Sequence, residues 1–145
     1  MGYKIIASDL DKTLLGPDHK VSKENWQAIE TLCAKGVHFI PASGRAYEEM
    51  PAELLESPLI RYYITSDGTT VYDKKTDTTH ELPMSRELGH YVLDKIFSYD
   101  VCVMIHADTK AYVDERTHNA EDYAGYNMSE YWIKFALDKE KTVPD

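Results

Sequence analysis

A partial, doubly wound α/β sheet followed by a smaller α+β unit is the fold class that this sequence predicts. Three observations predict it. Apolar runs alternate with helical periodicities as far as Thr65, two of those runs end in acidic or polar clusters, and from Ser66 onward the texture turns to short strands joined by polar turns. Strand, helix, strand, helix, strand is the order of a parallel sheet with right-handed crossovers, whose site lies beyond the carboxyl ends of its strands.

Tyr3 to Ser8 (YKIIAS) is a short apolar run that stops at an acidic cluster, as a buried parallel strand opening into a loop does. Ser22 is placed to cap a helix in which Trp26, Ile29, Leu32 and Cys33 recur at helical spacing, and Gly36 ends it. Val37 to Ala42 predicts a second strand, Ser43-Gly44-Arg45 a turn, Ala46 to Glu56 a second helix, and Ile60 to Thr65 a third strand. Beyond the turn at Ser66-Asp67-Gly68, Thr70 to Tyr72 and His80 to Leu82 flank a polar loop like the arms of a hairpin. Ser85 caps a helix carrying Leu88, Tyr91, Val92 and Ile96, and Val101 to Ile105 and Ala111 to Val113 read as two more strands. The boundary is expected near residue 68, giving an α/β core over 1–67 and an α+β unit over 68–145.

Composition narrows the function classes. The 145 residues are 43% hydrophobic and 28% charged, suited to one globular domain with a small addition. No apolar run approaches the roughly 20 residues of a membrane span, so no membrane partner is expected. The opening Met1-Gly2-Tyr3-Lys4-Ile5 enters a strand-like run without the pattern of a secretory leader, and a cytoplasmic location is expected. A net charge of -9 argues against nucleic acid as the partner, and a small anionic substrate would need local positive charge. Cys33 and Cys102 stand apart in apolar contexts and read as buried free thiols. The six histidines lack metal-ligand spacing, and Tyr123, Tyr126, Tyr131 and Trp132 read as a core or cap face, with a sugar-binding surface as the alternative.

Asp9-Leu10-Asp11-Lys12-Thr13 carries the chemistry. Alternate residues of an extended segment point the same way, which aims both carboxylates to one side. Clustered carboxylates at a strand end suit magnesium, a hard cation that takes oxygen ligands and keeps waters for a substrate phosphate; Asp9 and Asp11 are the expected ligands. Asp9 is the expected nucleophile on a phosphate ester, and Asp11 the group that protonates the leaving alcohol and later activates water. A solvated acidic turn is the plain alternative, and the placement after an apolar opening strand favours chemistry. Ser43, with Gly44, Arg45 and the neighbouring N–H groups at a helix start, is the expected phosphate seat, whose plain alternative is a capping serine and a permissive glycine. Asp67 shares the rim with Ser66 and is a candidate to shape the substrate pocket or the hinge to the second unit, where a hairpin turn is the competing explanation.

Asp9-Leu10-Asp11-Lys12-Thr13-Leu14-Leu15 together with Ala42-Ser43-Gly44-Arg45 resembles the first two motifs of the haloacid dehalogenase superfamily, and Ile64-Thr65-Ser66-Asp67-Gly68 looks like the start of the large cap of its sugar-phosphatase-like branch. The resemblance implies a Rossmann-like core and a cap that selects the leaving group. It implies Asp9 as nucleophile and magnesium ligand, Asp11 as the acid/base that also gives the metal its backbone carbonyl, Thr13 as an orienting hydroxyl and Ser43 as phosphate ligand. Lys12 departs from the glycine usual in many members. The family's third-motif lysine and fourth-motif acidic pair have no counterpart, so the chain is expected to be the N-terminal part of a longer enzyme, or one completed by another copy or a partner. The implied activity is a magnesium-dependent phosphatase on a small phosphorylated metabolite; a phosphomutase and a non-catalytic phosphate-binding module are the alternatives.

Overall fold

The computed structural model describes residues 2–99, 101, 103–114, 130–138 and 140. Two compact units divide it, Met1–Pro83 and Met84–Asp145.

The first unit is a five-stranded sheet in the order β1-β2-β3-β4-β5. Its strands are β1 (Ile5–Asp9), β2 (His38–Ala42), β3 (Tyr62–Thr65), β4 (Thr70–Asp73) and β5 (Thr78–Glu81). β1, β2 and β3 run parallel, and β4 and β5 continue the sheet antiparallel. The crossovers carry α1 (Lys23–Ala34) and α2 (Ala52–Glu56). One face of the sheet, through Ile6, Phe39, Tyr63 and Tyr72, packs with Trp26, Ile29 and Cys33 of α1 and Leu54 of α2 into a single core. Packing of this kind, at roughly 25 cal/mol per Å² of apolar surface withdrawn from water, is what holds the strand ends in register.

Helix α1 begins where Ser22 Oγ accepts the Asn25 N–H at 3.1 Å and ends at Gly36, whose φ of 75° lets the Val37 N–H reach back to the Leu32 carbonyl at 3.1 Å. Glu53 fastens the two helical layers, accepting the Val21 N–H at 2.8 Å and the Trp26 indole N–H at 3.0 Å. The thiol of Cys33 is half-buried and 3.8 Å from the Leu59 carbonyl, and Cys102 lies outside the described residues.

The helix expected over Ala46 to Glu56 is instead a 3-10 turn, Tyr47–Glu49, followed by α2. Pro51 explains the break: it brings no N–H to a helical ladder and forces the residue before it out of the helical region, and Met50 is extended at φ -67° and ψ 144°. The unit boundary also falls after Pro83 rather than after Asp67. Ser66, Asp67 and Gly68 all have positive φ, 50°, 54° and 88°, and reverse the chain so tightly that β4 pairs with β3 and extends the same sheet. Arg61 secures that hairpin with two hydrogen bonds to Asp73, of 2.9 and 2.6 Å, and the Lys74 ammonium bonds the Leu55 and Ser57 carbonyls at the end of α2.

In the second unit, α3 (Arg86–Ile96) starts at Ser85, which accepts the Leu88 N–H at 3.2 Å. The hairpin of β6 (Met104–Ala107) and β7 (Lys110–Val113) lies later than the strand expected from Val101, which is 42% exposed. Val113 packs with Ala136 of α4 (Glu130–Ala136). Among the described residues no helix is long and apolar enough to cross a membrane.

Candidate active site

The three parallel strands end at Asp9, Ala42 and Thr65, and the registers Asp9↔Ala42 and Ala42↔Ile64 bring those ends level. The loops that follow are therefore neighbours, and they hold the residues singled out by the sequence.

At the end of β1 the chain exposes Asp9, buries Leu10 completely and exposes Asp11, so the expected alternation holds two residues past the strand. Lys12 takes the left-handed conformation, φ 63°, and the turn closes with the Leu14 N–H on the Asp9 carbonyl at 3.2 Å and the Leu15 N–H on the Leu10 carbonyl at 2.9 Å. This turn returns Thr13 to the strand end, where its hydroxyl donates to Asp9 Oδ2 at 2.9 Å. Asp9 thus presents an oriented carboxylate to solvent.

Asp11 meets Arg45 in a two-point fork: Nε to Oδ2 at 3.0 Å and Nη2 to Oδ1 at 2.7 Å. This hydrogen bonding holds the Asp11 carboxyl below its ordinary range; desolvation opposes the shift, and the charges of Arg45, His19 and Lys12 assist it. His19 and Glu49 are the participants that sequence reasoning missed. Glu49 takes the Arg45 Nη1–H on its main-chain carbonyl at 3.1 Å and the Ala46 N–H on its own carboxylate at 2.8 Å. Glu49 stands three residues after Ala46, the spacing at which a glutamate reaches back to a cap N–H, but alanine at the cap removes the usual sequence signature.

Ser43 is buried, and its Oγ accepts the Arg45 N–H at 3.2 Å while its own N–H donates to the Ile64 carbonyl at 2.9 Å. With the Ala46 N–H on Glu49, three main-chain donors expected for a phosphate are engaged inside the protein, and no α-helix begins there. The Ser43 hydroxyl keeps its proton for donation. Gly44 is exposed, and a Cβ at that position would stand 2.8 Å from Asp67 Oδ1, so any larger residue would push the Asp67 side chain aside. The Asp67 carboxylate is thereby brought to the Ser43-Gly44 turn, while Ser66 donates its N–H to the Arg45 carbonyl at 2.8 Å. Asp9, Asp11, Thr13, Ser43, Gly44, Arg45 and Asp67 therefore gather at one end of the sheet.

Oxygen donors dominate this edge, in keeping with magnesium, which binds through one or two carboxylates and retains waters. Among the described residues no group of three potential ligands forms, and Asp9 holds one carboxylate oxygen free of protein partners. The set fits a cation held in part by other ligands.

A family model described as haloacid dehalogenase-like hydrolase matches residues 6–144. The chain belongs to this family. Among relatives of the haloacid dehalogenase-like hydrolases, a protein of Yersinia pestis (strain Pestoides F) named HMP-PP phosphatase is 31% identical over 112 residues, which are 77% of this chain and 41% of that protein. A haloacid dehalogenase-like hydrolase of B. subtilis superposes with a TM-score of 0.68 at 22% identity, covering 92% of this chain and 50% of that one. A subclass IIB sugar phosphatase of the superfamily gives a TM-score of 0.68 at 21% identity, covering 86% of this chain and 48% of that one. These superpositions establish the fold. The chain spans about half the length of the curated relatives it matches.

Proposed function

We propose that this chain carries the nucleophile half of a phosphatase site that hydrolyses the phosphate ester of a small metabolite. The observation that carries the proposal is the exposed Asp9 carboxylate at the end of β1, oriented by the Thr13 hydroxyl and flanked by the Asp11–Arg45 fork. Asp9 attacks phosphorus and forms an aspartyl-phosphate; Asp11 gives a proton to the departing alcohol and takes one from the water that releases phosphate. The Ser43 hydroxyl donates to a phosphoryl oxygen, and Asp67, exposed beside Gly44, meets the part of the substrate beyond the phosphate. Magnesium would be held by the Asp9 carboxylate and the Asp11 main-chain carbonyl, since both Asp11 carboxylate oxygens face Arg45, and would neutralise the charge that otherwise repels the two anions. Small phosphorylated metabolites are favoured by the phosphatase name of the Yersinia relative and by the sugar phosphatase neighbour.

The same proposal includes completion of the site from beyond β1. Among the described residues β1 is an edge strand, whose unpaired main-chain groups suit another strand, from further chain or a second copy. The test is magnesium-dependent phosphate release by the protein expressed from its own gene, on a panel of sugar and other small phosphate esters. Release that Asp9→Asn abolishes supports the reading; a folded protein inactive on every ester sinks it.

A further inference from the structure

Arg45 has the three nitrogens of its guanidinium engaged at once. Nε and Nη2 hold Asp11 at 3.0 and 2.7 Å, and Nη1 holds the Glu49 carbonyl at 3.1 Å. Its side chain is 9% exposed whereas that of Asp11 is 44% exposed. Its main chain is committed too, the N–H to Ser43 Oγ at 3.2 Å and the carbonyl to the Ser66 N–H at 2.8 Å. A single residue thus joins the loops that follow β1, β2 and β3.

The geometry points to Arg45 as a positioning residue that holds the Asp11 carboxylate at the mouth of the site, rather than as a ligand of the phosphate itself. This assignment rests on the phosphatase reading. An arginine that captures phosphate offers its fork outward, to the planar pair of acceptors on the incoming group. Here the fork faces a carboxylate of the same chain, and the guanidinium behind it is buried. With both oxygens tied, Asp11 loses the rotation about its side-chain bonds that would otherwise spread its carboxylate over several positions, and a group placed before the reaction acts at lower cost. Lysine cannot replace this: one ammonium cannot bridge two carboxylate oxygens and also reach the Glu49 carbonyl.

The test compares two esters, with the protein expressed from its own gene. Glycerol phosphate has an alkoxide leaving group that needs the Asp11 proton, and p-nitrophenyl phosphate has one that departs without it. Positioning predicts that Arg45→Lys lowers kcat/KM for glycerol phosphate by about a hundredfold, the lower range of general acid contributions, and for the nitrophenyl ester by no more than about threefold. The inhibition constant of inorganic phosphate should stay put. A phosphate ligand predicts equal losses on both esters and an inhibition constant raised about tenfold, and that outcome overturns the assignment. A second measurement does not depend on activity. In a thermal-unfolding cycle, Arg45→Lys combined with Asp11→Asn should lower Tm no further than the worse single variant, and additive losses would break the clamp. Arg45→Gln, whose amide nitrogen stops near the position of Nε and reaches neither Nη position, serves as the second variant in both measurements. Inactivity of the folded protein on all esters would count against the phosphatase reading, with the cycle still deciding whether Arg45 and Asp11 act as a unit.

Discussion

Two arginine–aspartate forks stand in the same sheet with almost the same geometry. At the ends of the parallel strands, Arg45 holds Asp11 at 3.0 and 2.7 Å; beside the antiparallel hairpin, Arg61 holds Asp73 at 2.9 and 2.6 Å. Their burial is inverted. In the first pair the arginine side chain is 9% exposed and the aspartate 44%, and in the second the arginine is 34% exposed and the aspartate 13%. The first fork buries the base to present the acid; the second uses the base to cover the acid, which also accepts the Lys75 N–H at 3.0 Å. The same ion pair thus does two jobs, and which partner is buried decides which.

The largest effect expected lies on the presenting side. Asp9→Asn should lower kcat by at least about a thousandfold, since it removes the proposed nucleophile, and Tm should hardly move because the carboxylate is exposed. Steady-state hydrolysis and a melting curve, run on the same sample, check both halves. A large fall in Tm would mean that Asp9 belongs to the fold rather than to the chemistry.

The covering fork should show the reverse pattern. Asp73→Ala leaves the Lys75 N–H and the Arg61 guanidinium without their acceptor, and should lower Tm more than Asp11→Asn does while touching turnover less. Acid sharpens the contrast. Hydrogen bonding from Arg61 drives the Asp73 carboxyl well below its ordinary value of 3.8, so it titrates lower in the folded chain than in the unfolded one. Its contribution is therefore complete above that value and drains away as pH falls toward the depressed one. Asp11 shifts in the same direction. Urea midpoints between pH 5 and pH 2.5 should fall for the parent chain and fall less steeply for Asp73→Asn, because the group whose protonation costs stability is gone. An unchanged slope would mean that the fork at the hairpin contributes nothing to acid sensitivity.

These contrasts also mark where the sequence was readable. β1, α1 with its Ser22 cap and Gly36 stop, and the Ser85 cap rest on residues close in sequence, and each stands within a few residues of its expected place. The split of the second helix was written in Pro51 but masked by the apolar spacing around it. The continuation of the sheet past residue 67 had no local sign, because Ser66 and Asp67 adopt positive φ without being glycine, held by the Ser66 N–H on Arg45 and by Thr69 on the Ser66 carbonyl. Among the site residues, the Asp9–Thr13 bond spans four positions and follows from the motif. The Asp11–Arg45 fork spans 34 positions, and only the register of β1 against β2 brings its halves together.

The smallest effect concerns the turn that carries the presented acid. Lys12 sits at φ 63°, a conformation that costs a residue with a Cβ about 1–2 kcal/mol, while glycine adopts it without that cost but gives up about 0.5–1 kcal/mol of chain entropy on folding. The balance favours glycine slightly, so Lys12→Gly should raise Tm by about 1–3 °C. It should also withdraw one of the charges that holds the Asp11 carboxyl below its ordinary range. The turn itself is tied by main-chain bonds from Thr13, Leu14 and Leu15 to the Asp9 and Leu10 carbonyls, none of which needs the lysine side chain. KM for an anionic ester should then rise a few-fold at low salt, by about the amount a single exposed charge contributes, and the difference should fade as ionic strength grows. If Tm fell instead, the side chain of Lys12 would have to stabilise the turn by more than the backbone conformation costs it, and the presenting fork would then depend on a surface lysine as well as on the buried Arg45.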